Sequence, residues 1–85
     1  MNLHLRFFAS LREALGASSE SISVPPEIAT VGALREHLQL RGGAWSEALA
    51  AHKVVRTACN QVMVGAAAPL VEGCEVAFFP PVTGG

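Results

Sequence analysis

The sequence predicts an α+β domain of two layers, one mixed sheet with one main helix packed across it. Three observations carry this. The chain opens on a stretch with period-2 alternation, closes on an apolar strand-like run, and holds between them one helix-period stripe flanked by short extra helices.

In the opening stretch Leu3, Leu5 and Phe7 alternate with His4, Arg6 and Phe8. The face carrying His4 and Arg6 is the solvent face, so Leu3, Leu5 and Phe7 point to the core. Ser10-Leu11-Arg12-Glu13 has the form of a capping box, with Ser10 as N-cap and Glu13 three residues on. A short helix is expected to run to Ala14 or Leu15 and to end at Gly16. Ser21 to Val24 alternates again and gives a second strand, ended by Pro25-Pro26.

Thr30 is the expected N-cap of the main helix. Val31, Leu34 and Leu38 recur at i, i+3 and i+7, while Arg35, Glu36 and Gln39 fall on the other side. Gly42-Gly43 is expected to stop it after about 12 residues. Trp45 to Ala51 reads as a short helix with Trp45 and Leu49 facing the core. Val54 to Asn60 reads as a strand, Gln61 to Val64 as a short one, and Glu75 to Phe79 as the last, ended by Pro80-Pro81. The first and last strands, being long and apolar, are expected at the centre of the sheet.

Composition bounds the function. The chain has 85 residues, of which 51% are hydrophobic, and a net charge of −1. That supports one modest core and gives no basic stripe for nucleic acid or an anionic membrane. No apolar run approaches the roughly 20 residues of a membrane helix, and the N-terminal residues lack a signal-peptide layout, so a cytoplasmic protein is expected. Cys59 and Cys74 form no C-x-x-C pair and are expected as reduced thiols. His4, His37 and His52 have no metal-ligand spacing with each other or with the cysteines, and read as surface residues with no metal site.

Strand parity locates a patch. Phe8 falls on the solvent side with His4 and Arg6. Val62 and Val64 share one face and leave Met63 on the other. Val76 and Phe78 share one face and leave Glu75, Ala77 and Phe79 opposite. Phe8, Met63 and Phe79 therefore stand together on the side that ought to be polar, which points to a partner surface.

The sequence closes on Val82-Thr83-Gly84-Gly85. This stretch is expected as a flexible tail beyond a domain spanning 1–81. Two glycines without Cβ atoms can thread a narrow channel. Four extended residues reach about 13 Å, and Pro80-Pro81 stiffens the exit. A carboxylate at Gly85 needs activation before it can act as an acyl donor. The chain has no G-x-x-x-x-G-K-[ST] loop and no convincing Ser/His/Asp or Cys/His pairing, so activation falls to another protein. The sequence reads as a carrier that binds no cofactor and has no catalytic machinery of its own.

Four stretches carry a family resemblance. They are Glu75-Val76-Ala77-Phe78-Phe79-Pro80-Pro81-Val82-Thr83-Gly84-Gly85, Leu5-Arg6-Phe7-Phe8-Ala9-Ser10-Leu11-Arg12-Glu13, Thr30-Val31-Gly32-Ala33-Leu34-Arg35-Glu36-His37-Leu38, and Asn60-Gln61. Together they resemble the small, sulfur-carrying subunit of molybdopterin synthase, over essentially the whole chain. The resemblance implies the ubiquitin-like β-grasp fold. It implies that Gly85, behind Gly84, is adenylated by an ATP-dependent E1-like enzyme and converted to a thiocarboxylate with sulfur from a donor protein. The large synthase subunit, in a heterotetramer of two small and two large subunits, then takes in the tail. There the sulfur passes to cyclic pyranopterin monophosphate. Phe8, Met63, Phe79, Pro80, Pro81, Val82 and Thr83 fall where that family meets its partners. Cys74 departs from the family, which commonly has an acidic residue there; this leaves the fold untouched and leaves room for an exposed thiol, although both cysteines are expected in buried or incidental roles. Three other readings stay open: a sulfur carrier for thiamine or another thiolated product, a modifier conjugated to lysines, and an interaction domain with an idle tail.

Overall fold

The computed structural model describes residues 1–81. Eight elements follow in chain order: β1 (Asn2–Phe7), α1 (Ala9–Leu15), β2 (Ser19–Ser23), α2 (Val31–Gln39), α3 (Gly43–Ala48), β3 (Arg56–Cys59), β4 (Val62–Val64) and β5 (Glu75–Phe79). The five strands form one sheet in the order β2-β1-β5-β3-β4. β1 and β5 run parallel, with Leu5 opposite Val76 and Phe7 opposite Phe78, and the other pairings are antiparallel. The expected order of elements and the inner position of β1 and β5 are both met. A mixed sheet so ordered, with the helices on one face, is the β-grasp arrangement.

The core lies between the sheet and the helices. Leu3, Leu5 and Phe7 of β1, Val76 and Phe78 of β5, and Val31, Leu34 and Leu38 of α2 are all buried in it. The Phe7 ring stacks near-parallel on Phe78 with centroids 5.6 Å apart, and meets Trp45 edge-on at 5.3 Å. Leu49, just past α3, is fully buried, as its i, i+4 spacing from Trp45 predicts.

Several local expectations are corrected. Ser10 is not an N-cap. Helix α1 starts at Ala9 with Phe8 as its capping residue and no side-chain cap. The Phe8 carbonyl accepts from the N–H groups of Leu11 and Arg12, while its own N–H is taken by the Phe78 carbonyl at 3.2 Å. The pull of the sheet on Phe8 thus sets the helix start, overriding the capping box. Gly16 does end α1, in a left-handed conformation with φ 68°. Helix α2 has nine residues and ends at Gln39, ahead of the glycine pair. Gly42 instead caps α3, whose first residue is Gly43, so the two glycines form the turn between helices. Cys74 is buried, not exposed. It shares strand parity with Val76, which puts its side chain on the core face. Cys59 is half-buried; burial, and then the neighbouring Cys74 thiol, push its own thiol up from the ordinary value. His4 and His52 are exposed, but His37 is half-buried.

The main helix is capped as predicted, with the Thr30 Oγ1 accepting from the Ala33 N–H at 3.2 Å. Its other free donors meet the alanine-rich loop from Gly65 to Pro69. The Val31 N–H donates to the Ala68 carbonyl at 3.0 Å and the Gly32 N–H to the Ala66 carbonyl at 2.8 Å. The loop therefore satisfies first-turn N–H groups that a helix leaves open. Gly32 permits this approach, since a Cβ there would lie 3.2 Å from both the Cβ and the carbonyl oxygen of Ala66.

At the opposite edge, Glu20 of β2 forms a two-pronged ion pair with Arg41, which also lies over the Trp45 ring at 4.4 Å. The Arg41 hydrogen bond, and its charge, hold the Glu20 carboxyl below its usual value against an opposing effect of burial. A depressed folded-state pKa stabilises the fold above the unfolded value and loses that contribution as pH falls through the folded one. The pair is partly solvated, so the contribution is at most about 1 kcal/mol. Glu20→Gln should lower Tm by a few degrees near neutrality and leave it unchanged in acid below the carboxylate range, measured by thermal melts at both pH values. An equal drop at both would assign the effect to packing instead of charge.

Candidate functional site

The sheet face away from the helices carries the predicted patch, and each strand contributes by its register. Phe8 follows β1 in extended conformation, with φ −122° and ψ 152°, so the parity of β1 carries one residue past its end. Ala9 then takes a left-handed backbone, φ 52°, to turn the chain into α1. Phe79 closes β5, where it stacks on Phe8 with centroids 4.7 Å apart and planes 8° apart.

Met63 reaches the patch through a tight hairpin. β3 and β4 are joined by Asn60 and Gln61, with Cys59 opposite Val62. Both turn residues have positive φ, 47° and 69°, as a two-residue type I′ turn requires. The Asn60 Oδ1 accepts from the Glu75 N–H at 2.9 Å and ties the turn to β5. This register sets Met63 opposite Ala58 and Ala58 opposite Ala77. Both alanines are buried although they lie on the outward face, because larger neighbours crowd over them. Met63 itself is 56% exposed. Val62, expected on the covered face, is 64% exposed because β4 is an edge strand.

Phe8, Ala9, Arg56, Met63, Phe79, Pro80 and Pro81 together line an open groove of about 420 Å3. The structure thus brings Phe8, Met63, Phe79, Pro80 and Pro81 into one surface. The remaining predicted residues, Val82, Thr83, Gly84 and Gly85, lie outside the described residues. Two arginines flank the aromatic stack. The Arg6 guanidinium lies 5.3 Å from the Phe8 ring centroid and 3.9 Å from the Glu75 carboxylate. Arg56 stands opposite Phe79 in the ladder.

Sequence reasoning missed Arg56 and Arg35. Arg35 sits on the polar side of α2 and reads as an exposed helix residue. In the fold its Nε donates to the Leu49 carbonyl at 2.8 Å, and its Nη2 to the carbonyls of Ala50 and Lys53 at 2.6 and 2.7 Å. It thereby fastens the segment leading from α3 to Arg56, and burial lowers its pKa from the ordinary value. No periodicity signals this role, since the carbonyls lie 14 to 18 residues away. Among the described residues no group of three or more His, Cys, Asp or Glu side chains could hold a metal ion, and no helix is long and apolar enough to cross a membrane.

Known proteins share this fold. The ThiS family profile matches residues 5–85. The molybdopterin synthase sulfur carrier subunit of Escherichia coli is 44% identical over 79 residues, covering 93% of this chain and 94% of that protein. Among solved structures, the complex of subunits 1 and 2 of the molybdopterin-converting factor from Helicobacter pylori matches with TM-score 0.69 and 26% identity, covering both chains in full. The Haloferax volcanii small archaeal modifier protein 1 matches with TM-score 0.76 and 25% identity, covering 95% of this chain and 98% of that one. The chain belongs to the ThiS family, and over nearly its whole length it is similar to a sulfur carrier subunit of molybdopterin synthase.

Proposed function

We propose that this protein is the sulfur carrier of a molybdopterin synthase. The observation that carries the reading is the position of the apolar groove. It is built from Phe8, Met63 and Phe79 and runs to Pro80 and Pro81, directly before the Val82-Thr83-Gly84-Gly85 stretch. A partner seated on the groove is within about 13 Å of the Gly85 carboxylate.

In this reading the folded body is a handle and Gly85 carries the chemistry. An E1-like partner spends ATP to convert the carboxylate to an acyl-adenylate, releasing pyrophosphate. A donor protein's persulfide displaces AMP to form an acyl disulfide. A thiol reductant then breaks the sulfur–sulfur bond, leaving the thiocarboxylate on Gly85 and taking the donor sulfur as a mixed disulfide. The large synthase subunit, two copies with two carriers, accepts the tail. There the thiocarboxylate sulfur bonds to cyclic pyranopterin monophosphate, and water cleaves the acyl–sulfur bond, leaving the sulfur on the pterin and returning the carboxylate. The chain binds neither ATP nor metal and works in the cytoplasm.

The likeness to a small archaeal modifier protein favours one second reading, conjugation of Gly85 to lysines of other proteins. One measurement separates the two. The intact mass of protein purified from its own cells should show sulfur in place of one terminal oxygen. Adducts on lysines would instead support the modifier, and thiolation with loss of thiamine alone would point to a thiamine carrier. Deleting Gly85 should reduce molybdenum-cofactor production to background in cells with no second copy. Normal cofactor levels there would reject the proposal.

A further inference from the structure

The groove carries a charge that the fold does not use. Arg56 is exposed and lines the groove beside Met63 and Phe79. Arg56 and Met63 also line an adjoining hollow of about 340 Å3, bounded by Val31, Gly32 and Ala66. No aspartate or glutamate lines either one. The nearby cations are already engaged, Arg6 with Glu75 and the Phe8 ring, and Arg35 with three backbone carbonyls. Among the described residues, Arg56 makes no ion pair. It stands at the junction of two hollows: among the described residues it is the one charged residue of the apolar groove, and in the second it is joined by Arg35, which is held by backbone carbonyls, and by Thr57.

Resting on the reading of this face as the docking surface, we infer that Arg56 selects a partner surface that places a carboxylate beside an apolar anchor. The anchor enters between Phe79, Met63 and Pro80, and the carboxylate pairs with the guanidinium at the rim. Phe79 and Arg56 are ladder neighbours, so the two contacts sit side by side and the partner's two groups must be adjacent as well. Apolar burial supplies the affinity. The rim charge acts chiefly on the encounter, raising the association rate for a partner of the right sign and rejecting one with a cation in that place.

The test uses the full chain and the large synthase subunit from the same cells, with association and dissociation rates measured at low and high salt. Arg56→Glu should slow association about tenfold at low salt, with much of the difference lost at high salt and little change in dissociation. Arg56→Gln should fall between, about threefold slower, and Arg56→Lys should stay near wild type because the charge is kept. Since Arg56 is exposed, melting curves of all three should match the parent. Wild-type association by Arg56→Glu at both salts, with binding still abolished by Phe79→Asp, would overturn the inference and leave the docking face standing. If Phe79→Asp also binds normally, the docking reading falls with it. A loss by Arg56→Glu that Arg56→Lys shares and salt does not alter would assign Arg56 a shape role and likewise overturn the inference.

Discussion

Phe79→Asp should cost the complex with the large synthase subunit at least about 2 kcal/mol, or roughly 30-fold in Kd, while the protein stays folded. Phe79 closes the central strand, stacks on Phe8 and lines the groove, the placement of an aromatic anchor. A carboxylate there would bring its water into the middle of an apolar contact, a larger penalty than truncation alone. The cost to the fold is smaller. Phe79 is half-buried, and losing one aromatic pair is worth about 0.5–1.5 kcal/mol. An aspartate would also face Arg56 across the ladder, which offsets part of that loss. Titration calorimetry with the large subunit, alongside circular dichroism and a melting curve, checks both halves. An unchanged Kd in a folded variant would remove the groove from any account of partner binding.

Phe7→Ala should have the opposite profile, with stability lost and the groove left chemically intact. Phe7 is fully buried, stacks on Phe78 and meets Trp45 edge-on, so one ring joins β1, β5 and α3. Truncating a buried phenylalanine costs about 3–5 kcal/mol. A domain of this size has total stability toward the low end of about 5–15 kcal/mol, so most of it would go. The expected drop in Tm is roughly 15 °C or more. Trp45 is the one tryptophan of the chain and packs on the deleted ring, so its fluorescence in a denaturant titration reports the change directly. A loss below about 1 kcal/mol would mean that the helices close over the gap and that this aromatic joint is dispensable.

The contrast between these two neighbours shows what was legible in the sequence. Parity separates Phe7 from Phe8, and Phe78 from Phe79, without any knowledge of pairing, because burial on one face leaves the other fixed. The stripe of Val31, Leu34 and Leu38 is equally local. What could not be read is whatever depends on a partner distant in sequence. The capping box at Ser10 fails because the Phe78 carbonyl, 70 residues away, holds the Phe8 N–H. The Gly65 to Pro69 loop has no pattern of its own, since its role is to offer carbonyls to α2. Arg35 looks like a solvated helix residue until the carbonyls of Leu49, Ala50 and Lys53 are placed around it. Arg56 was hidden for a related reason. Its significance comes from the lack of an acidic side chain among the described residues that line its two hollows, and the ladder has to be assembled before that neighbourhood exists.

The place of β5 at the middle of the sheet bears on how the molecule is made. Synthesis proceeds from the N-terminus, so β1 is finished long before its parallel neighbour. Until Glu75–Phe79 has left the ribosome, β1 and β2 are held apart from β3 and β4, and half of the core lacks its other wall. Such a chain cannot close its non-local contacts early. The strand that completes the sheet is also the one that brings Phe79 against Phe8 and ends at Pro80. An unfinished chain therefore offers a partner no groove, and the docking face comes into being only as synthesis reaches the residues that follow it.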